Sequence, residues 1–165
     1  MKVLLRETTD SDMELILAWR NNPLIWKGLY TQARENRPLT WEEHNSWWHS
    51  PYRTTWKIFI IQIIYPPIDD VRWNVGYLNV GQLDHWRPEI AIVVGDTALH
   101  GQGIGTEALK LGLQWIKEQG KLKCHTSILK DNLASIHLFE KVGFKRIGEA
   151  REGEWEYEID LKEIV

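Results

Sequence analysis

The feature that most constrains the fold is an apolar run, a glycine cluster and an amphipathic helix within residues 89–117. The run at residues 89–94 predicts a strand, and Gly101, Gly103 and Gly105 precede the helix. Apolar residues recur at three- and four-residue spacing along one helical face, namely Ala108, Leu109, Gly112, Leu113 and Ile116. Without Cβ atoms, several backbone N–H groups can approach one small volume, where the helix dipole adds positive potential. The stretch therefore predicts a binding site for an anion such as phosphate.

Two common phosphate loops fit this stretch poorly. A Walker loop needs lysine and then serine or threonine after its last glycine, whereas Thr106 and Glu107 follow Gly105 here. The spacing of Gly103, Gly105 and Ala108 does match the dinucleotide-binding fingerprint. That fingerprint, however, places its first glycine in a tight turn at the strand end, and residues 95–102 make too long a connection. Both alternatives are disfavoured.

Two segments resemble the signatures of GCN5-related N-acetyltransferases (the GNAT family). The first resembles the acetyl-CoA loop of the family and comprises His100, Gly101, Gln102, Gly103, Ile104 and Gly105. The second, residues 132–144, resembles the pattern Asn-x-x-Ala-x-x-x-Tyr-Glu-Lys-x-Gly-Phe, with Phe139 in place of the tyrosine. Either segment alone is weak evidence, but both occur in the family's order with a strand-like segment between them.

The resemblance implies an α/β (α+β) acyl-CoA N-acyltransferase fold. We expect a mixed, twisted sheet of about seven strands with helices on both faces, formed by residues 1–165 as one domain. The elements predicted from periodicity and turn residues follow the order β-α-α-β-β-β-α-β-α-β-β. In such a fold two neighbouring strands, here residues 89–94 and 123–129, are expected to splay apart and admit the pantetheine arm.

Composition excludes several other classes. A net charge of -3 and a pI near 6.1 leave no basic footprint for nucleic acid. The single cysteine, Cys124, allows no internal disulfide, fits a reducing compartment and reads as a small buried hydrophobe. No apolar run is long enough to cross a bilayer. We therefore expect a cytoplasmic protein with no membrane, nucleic-acid or metal partner.

By resemblance, acetyl-CoA is the co-substrate. Its pantetheine arm would pair with the backbone of Ile92, Val93 and Val94, and its pyrophosphate would lie on the amides between Gly101 and Thr106. Asn132 would donate to the pantetheine arm, or would simply cap the next helix. Phe139 has no proton to give a departing thiolate. The group that protonates the thiolate would then be Tyr77, Tyr157 or water, or the reaction would have no dedicated acid.

The catalytic base is less clearly marked in the sequence. Glu89 is the first candidate because it opens the central strand beside the expected gap. Asp84 and His85, in the preceding turn, are alternatives, and a base acting through water would leave little trace. Glu89 could equally be an exposed carboxylate at a strand end.

Acceptor residues are proposed from the N-terminal half, where most of the ten tryptophans lie. Flat aromatic side chains stack on sugars and bases. The pattern of residues 19–23 and 40–47 resembles a branch that includes Rim-type enzymes and acetyltransferases of nucleotide-linked amino sugars. The candidate acceptor-binding residues are Arg20, Asn21, Trp26, His44, Trp47 and Tyr77.

Three classes of amine are alternatives for the acceptor. Our order is a nucleotide-linked amino sugar, then a protein or peptide N-terminus, then an antibiotic or another small amine. A homodimer is compatible with the family. Because the tyrosine is missing, a different class of function is an alternative, namely a non-catalytic acyl-CoA sensor or partner subunit.

Overall fold

The structure, a computed structural model, describes residues 1–164 and contains one seven-stranded mixed sheet. The strands are β1 (Lys2–Glu7), β2 (Lys57–Tyr65), β3 (Ile68–Gly81), β4 (Glu89–Val94), β5 (Lys123–Leu129), β6 (Lys145–Glu149) and β7 (Glu154–Asp160). Their spatial order is β1-β2-β3-β4-β5-β7-β6. Every neighbouring pair is antiparallel except β4 and β5, which are parallel. The expected fold class is confirmed.

Five α-helices connect these strands. They are α1 (Met13–Arg20), α2 (Tyr30–Glu35), α3 (Trp41–Trp48), α4 (Ile104–Glu118) and α5 (Leu133–Val142). The predicted capping box at α3 is present, since the Thr40 hydroxyl accepts from the Glu43 N–H and the Glu43 carboxylate accepts from the Thr40 N–H. Within residues 1–164, no helix has the length and apolar character needed to cross a membrane.

The two faces of the sheet carry separate hydrophobic clusters. Side chains of consecutive strand residues point to opposite faces, and Ile60 and Ile61 belong to different clusters, as do Tyr77 and Leu78. One cluster contains residues of α1 and α3. The other contains residues of α4 and α5. We call these the α1–α3 face and the α4–α5 face.

Helix α4 approaches the sheet closely at one position. All five predicted apolar positions of this helix are buried. At Gly112 an added Cβ would lie 2.8 Å from the Leu78 side chain and 3.1 Å from that of Ile90. An added Cβ would force the Leu78 side chain to shift, so the glycine allows α4 to pack closely against β3 and β4.

Two local predictions differ from the structure. The turn expected at residues 65–70 is shorter, because β3 begins at Ile68 rather than near Val75 and extends the hairpin with β2. The short helix α2 was not predicted. Its six residues, Tyr30–Glu35, have no clear apolar period, and tertiary packing stabilises so short a helix more than propensity does.

Candidate active site

The central feature of the site is a gap between β4 and β5. The two strands pair only at Glu89 with His125, where the His125 N–H donates to the Pro88 carbonyl at 3.0 Å. Beyond this pair the parallel strands separate toward their carboxyl ends, so the predicted splayed pair is confirmed. We call the Glu89–His125 pair the closed end of the gap. The open end comprises Val94, residues 101–106 and Asn132.

Backbone groups of β4 face this gap. The Gly95 N–H donates to the Val75 carbonyl, which directs Gly95 and, by the two-residue period, Val93 toward β3. Ile92 therefore presents its N–H and C=O groups to the gap, and Val94 presents its N–H, whereas the Val94 carbonyl accepts from the His100 ring. This corrects the expectation for Val93, whose amide faces β3 and whose side chain belongs to the cluster of the α1–α3 face.

At the open end, two glycines have backbone conformations that favour an anion site. Gly101 and Gly103 have φ values of 84° and 83°, and a Cβ added to either would meet nothing within 4 Å. Gly103 is the N-cap of α4 and supplies no side chain to the first turn. The amides of Ile104, Gly105 and Thr106 therefore have no partner within the helix and an unobstructed approach. The loop fits a phosphate group.

The His100 side chain does not point at this anion site. Its Nε2 lies 2.7 Å from the Val94 carbonyl oxygen, so the ring donates to the end of β4. It holds the loop against the strand. Gln102 is exposed, and the Ile104 side chain is buried, so Ile104 can contribute only its backbone N–H.

Asn132 has the capping role that was one of the two expected for it. Its Oδ1 accepts from the Ser135 N–H at 3.3 Å and caps α5. Its Nδ2 would lie 2.9 Å from a Cβ added to Gly28, so the segment Trp26–Gly28 packs directly against the amide. One side-chain atom serves the helix, and the other stays available beside the open end.

Three aromatic residues were candidates for a role near the thioester sulfur. Phe139 is buried and packs edge-on against Phe144, with ring centroids 5.0 Å apart. The Tyr157 hydroxyl donates to Glu140 at 2.9 Å on the α4–α5 face, so it is already engaged. Tyr77 lies on the α1–α3 face, stacked on Trp19. Burial raises the pKa of Tyr77 and keeps it protonated.

Glu89 lies at the closed end and shares the α1–α3 face with Val93, four residues along the strand. Burial raises the pKa of Glu89, the Arg151 charge opposes this, and the charges of Glu154 and Glu156 add to it. A carboxylate with a raised pKa can accept a proton more effectively near neutral pH. The alternatives Asp84 and His85 are exposed in the loop before β4.

Sequence reasoning missed His125 and its surroundings. His125 is the ladder partner of Glu89, and its Nδ1 lies 3.7 Å from a Glu156 carboxylate oxygen. Arg87 spans Glu156 and Glu158 with two contacts of 2.6 Å. Alternation along β5 could have placed His125 on one face, but no sequence signal pairs it with Glu89.

The proposed acceptor residues form two groups. Arg20 is half-buried, with its guanidinium carbon 5.5 Å from the Trp47 ring centroid and Nη1 3.5 Å from His44 Nδ1. Among the side chains that the structure describes, no carboxylate forms an ion pair with this guanidinium at 4 Å or less. Trp26 and Trp47 are also half-buried. These three side chains are only partly buried, whereas Tyr77 is 4% exposed.

His44 and Asn21 have structural contacts instead. His44 is 1% exposed, and its Nε2 donates to the Met13 carbonyl at 3.0 Å. Burial, reinforced by the Arg20 charge, lowers the pKa of His44 to about 4. Both amide atoms of Asn21 bond the backbone of Leu39 at 2.8 Å. Both side chains are therefore engaged by the protein itself, and His44 Nδ1 also contacts Arg20.

No metal chemistry is suggested by the side chains in the described part of the chain. There, no three His, Cys, Asp or Glu residues lie close enough together to hold a metal ion. Burial raises the pKa of the Cys124 thiol, which is unreactive in consequence.

Comparison with known proteins agrees with this geometry. Residues 2–145 match the family described as "Acetyltransferase (GNAT) domain". The chain is also 43% identical to a solved domain from Methanocaldococcus jannaschii, with a TM-score of 0.88 over 96% of this chain and 98% of that one. The chain therefore belongs to the GNAT acetyltransferase family.

More distant structures share the fold. An aminoglycoside acetyltransferase, AAC(6')-Ib, in complex with coenzyme A has a TM-score of 0.78 at 16% identity, with 96% and 95% of the two chains covered. A spermidine N-acetyltransferase from Vibrio cholerae, in complex with CoA and spermine, has a TM-score of 0.76 at 16% identity, covering 98% and 97%.

Two curated relatives are longer than this chain. The protein MJ1062 of Methanocaldococcus jannaschii is 44% identical over 97% of this chain but only 31% of its own length. The N-acetyltransferase YobR of Bacillus subtilis is 35% identical over 86% of this chain and 54% of its own length. The chain thus spans about a third of the first relative and about half of the second.

Proposed function

We propose that residues 1–165 form one N-acetyltransferase domain that transfers acetyl from acetyl-CoA to a primary amine by direct attack. The observation that carries this proposal is the gap between β4 and β5, which places unpaired backbone groups beside an uncapped helix start. Family membership supports it, as do structural neighbours that are named as acetyltransferases and described in complex with CoA.

The open end would bind the co-substrate through the backbone. Ile92 and Val94 can pair with an amide-bearing arm as though it were a short strand. The amides of residues 101–106 can bind the pyrophosphate, and Asn132 Nδ2 can donate to the arm. Acetyl-CoA, when bound, supplies an acetyl thioester whose carbonyl can be polarised by the N–H groups in the gap.

The closed end would accept the proton that the attacking amine loses. Glu89 can accept a proton from the amine as the nitrogen attacks, because burial already favours its protonated form. Phe139 cannot protonate the leaving thiolate, and Tyr157 is engaged by Glu140. The thiolate therefore leaves without a dedicated acid from these two positions.

A nucleotide-linked amino sugar is our first choice of acceptor. Arg20 lies over Trp47 with no carboxylate partner in the described chain, so it can bind an anionic group such as a diphosphate. Trp26 and Trp47 can stack on a sugar or base. A protein or peptide N-terminus ranks second. The named substrates of the aminoglycoside and spermidine enzymes support a small-molecule amine as a further alternative.

One observation favours a second candidate function. With Phe139 in place of tyrosine, the chain could bind acyl-CoA as a sensor or partner subunit without turnover. Both functions need the open end intact, and only turnover distinguishes them.

The test is a calorimetric titration with acetyl-CoA, followed by measurement of thiol release with a panel of amines. The panel contains nucleotide amino sugars, N-terminal peptides, aminoglycosides and polyamines. We expect binding and turnover with the nucleotide amino sugars. Binding without any turnover would favour the sensor, and absence of binding would reject both functions.

A further inference from the structure

The closed end holds an imidazole that the proposed reaction does not yet use. His125 and Glu89 are the one residue pair that joins β4 to β5 in the described chain. Cys124 and Ile128 of β5 belong to the α4–α5 face, so the odd-numbered His125 points to the opposite face, as Glu89 does. Two ladder partners on one face have neighbouring side chains, so a carboxyl and an imidazole lie side by side where the gap closes. Among the described side chains these two groups form no contact of 4 Å or less, so a side-chain rotation precedes any transfer between them.

The two ring nitrogens of His125 differ in their surroundings. Nδ1 is buried and makes no hydrogen bond, and the nearest acidic atom is Glu156 Oε1 at 3.7 Å. Nε2 is neither buried nor bonded, and the side chain keeps 15% exposure. A small movement would let an Nδ1–H donate to Glu156. That hydrogen bond selects the tautomer with a free lone pair on Nε2.

Glu156 is itself held in place. Arg87 Nη2 contacts its Oε1 at 2.6 Å, while Arg87 Nη1 contacts Glu158. The charged and titratable groups that surround His125 come from β4, β7 and the loop before β4, and they are Glu89, Glu156, Glu158, Arg87 and His85. Glu156 also faces Glu89, because its charge acts on that carboxyl.

We propose that His125 relays the proton that Glu89 takes from the amine, and that Glu156 positions the imidazole for this transfer. In the step, the O–H bond of the Glu89 carboxylic acid breaks and an N–H bond forms at His125 Nε2. The products are a carboxylate at Glu89 and an imidazolium beside the Glu156 carboxylate. The imidazolium then releases its proton to solvent at the exposed part of the ring.

The electrostatics support this transfer in both directions. Burial raises the pKa of Glu89, whereas burial and the Arg87 charge lower the pKa of His125. The two groups therefore approach each other in proton affinity, which keeps the transfer close to balanced. His125 is neutral at neutral pH and can accept a proton there.

The inference rests on the proposed acetyltransferase function and is tested with His125→Gln, Glu156→Gln and the matched control His137→Gln. His137 is an exposed histidine on α5. We expect kcat to fall about tenfold in H125Q and several-fold in E156Q, with H137Q unchanged. In the wild type, kcat should fall as the pH drops below that of a free histidine, about 6.5. H125Q should lose the part of this limb that His125 contributes and keep only the titration of Glu89, so the shape of the limb should change.

A second measurement does not depend on turnover. Nitrogen-15 NMR of labelled histidines reports which ring nitrogen carries the proton, and H125Q assigns the resonance. We expect the Nδ1–H form of His125 at pH 8 and its loss in E156Q. An Nε2–H form of His125 would overturn the relay. So would an H125Q pH profile that keeps the wild-type shape, whatever the absolute value of kcat. A wild type that releases no thiol would reject the proposed function, while the NMR result still decides the His125–Glu156 geometry.

Discussion

The tasks proposed for the two ends of the β4–β5 gap depend on different parts of the chain. At the closed end the relevant groups are side chains, Glu89 and His125, and their surroundings set their proton affinities. At the open end the relevant groups are backbone amides, and these amides are accessible because the glycines carry no side chains. Substitutions that change a functional group should therefore act strongly at the closed end. Substitutions that add volume should act strongly at the open end.

The largest effect is expected at the closed end. Glu89→Gln keeps the shape of the side chain but removes its ability to take a proton, so kcat/KM should fall by about 10²–10⁴-fold. Steady-state thiol release measures this, and calorimetry should show unchanged affinity for acetyl-CoA. Glu118→Gln, at the exposed end of α4, is the control. A kcat/KM within twofold of wild type would remove Glu89 as the base.

The next effect tests the open end. Gly103→Val places a branched side chain at a φ of 83° and fills the space in front of the amides, so the Kd for acetyl-CoA should rise at least tenfold, or about 1.4 kcal/mol. Calorimetry measures the Kd.

Gly120→Val is a closely matched control for this substitution. Gly120 has the same φ and the same open surroundings but follows the other end of α4. It should lose similar stability and keep its affinity. Equal loss of affinity in both variants would show that strain in the fold, and not a ligand site at Gly103, explains the result.

Asn132 separates helix capping from ligand binding. Asn132→Ala should remove the α5 cap and cost about 1 kcal/mol, or roughly 2–4 °C in melting temperature. Asn132→Asp keeps an oxygen that can cap but loses the Nδ2 donor. Its melting temperature should stay near wild type while its acetyl-CoA affinity falls several-fold. If both variants keep wild-type affinity, Asn132 is a cap alone.

The smallest effect is expected at His100. Its side chain bonds the end of β4 and not the anion site, so His100→Ala should weaken acetyl-CoA binding by no more than a few-fold, through the loss of one hydrogen bond. Calorimetric titration of the variant measures this. A loss as large as that of Gly103→Val would mean that the ring contacts the phosphate directly.

The sequence predicted much of the fold because local signals were strong there. The periodic face of α4, the capping box at Thr40 and the glycine after α5 are local features, and all three have the predicted geometry. The short helix α2 and the length of β3 depended on tertiary contacts and were missed. Propensity over six residues is too weak to fix such elements.

The candidate site also contains features that local sequence predicts and features that depend on tertiary contacts. Glycines at fixed spacing before a helix predicted an open backbone loop from sequence alone, and Gly101 and Gly103 have the positive φ values that such a loop needs, because backbone conformation depends mainly on the residue that adopts it. His44 looked like part of an acceptor wall, yet it is buried and bonded to Met13, because burial depends on how α1 and α3 pack. Only the tertiary structure pairs Glu89 with His125 and brings Glu156 beside them, since these residues are far apart in the chain and meet only through strand order.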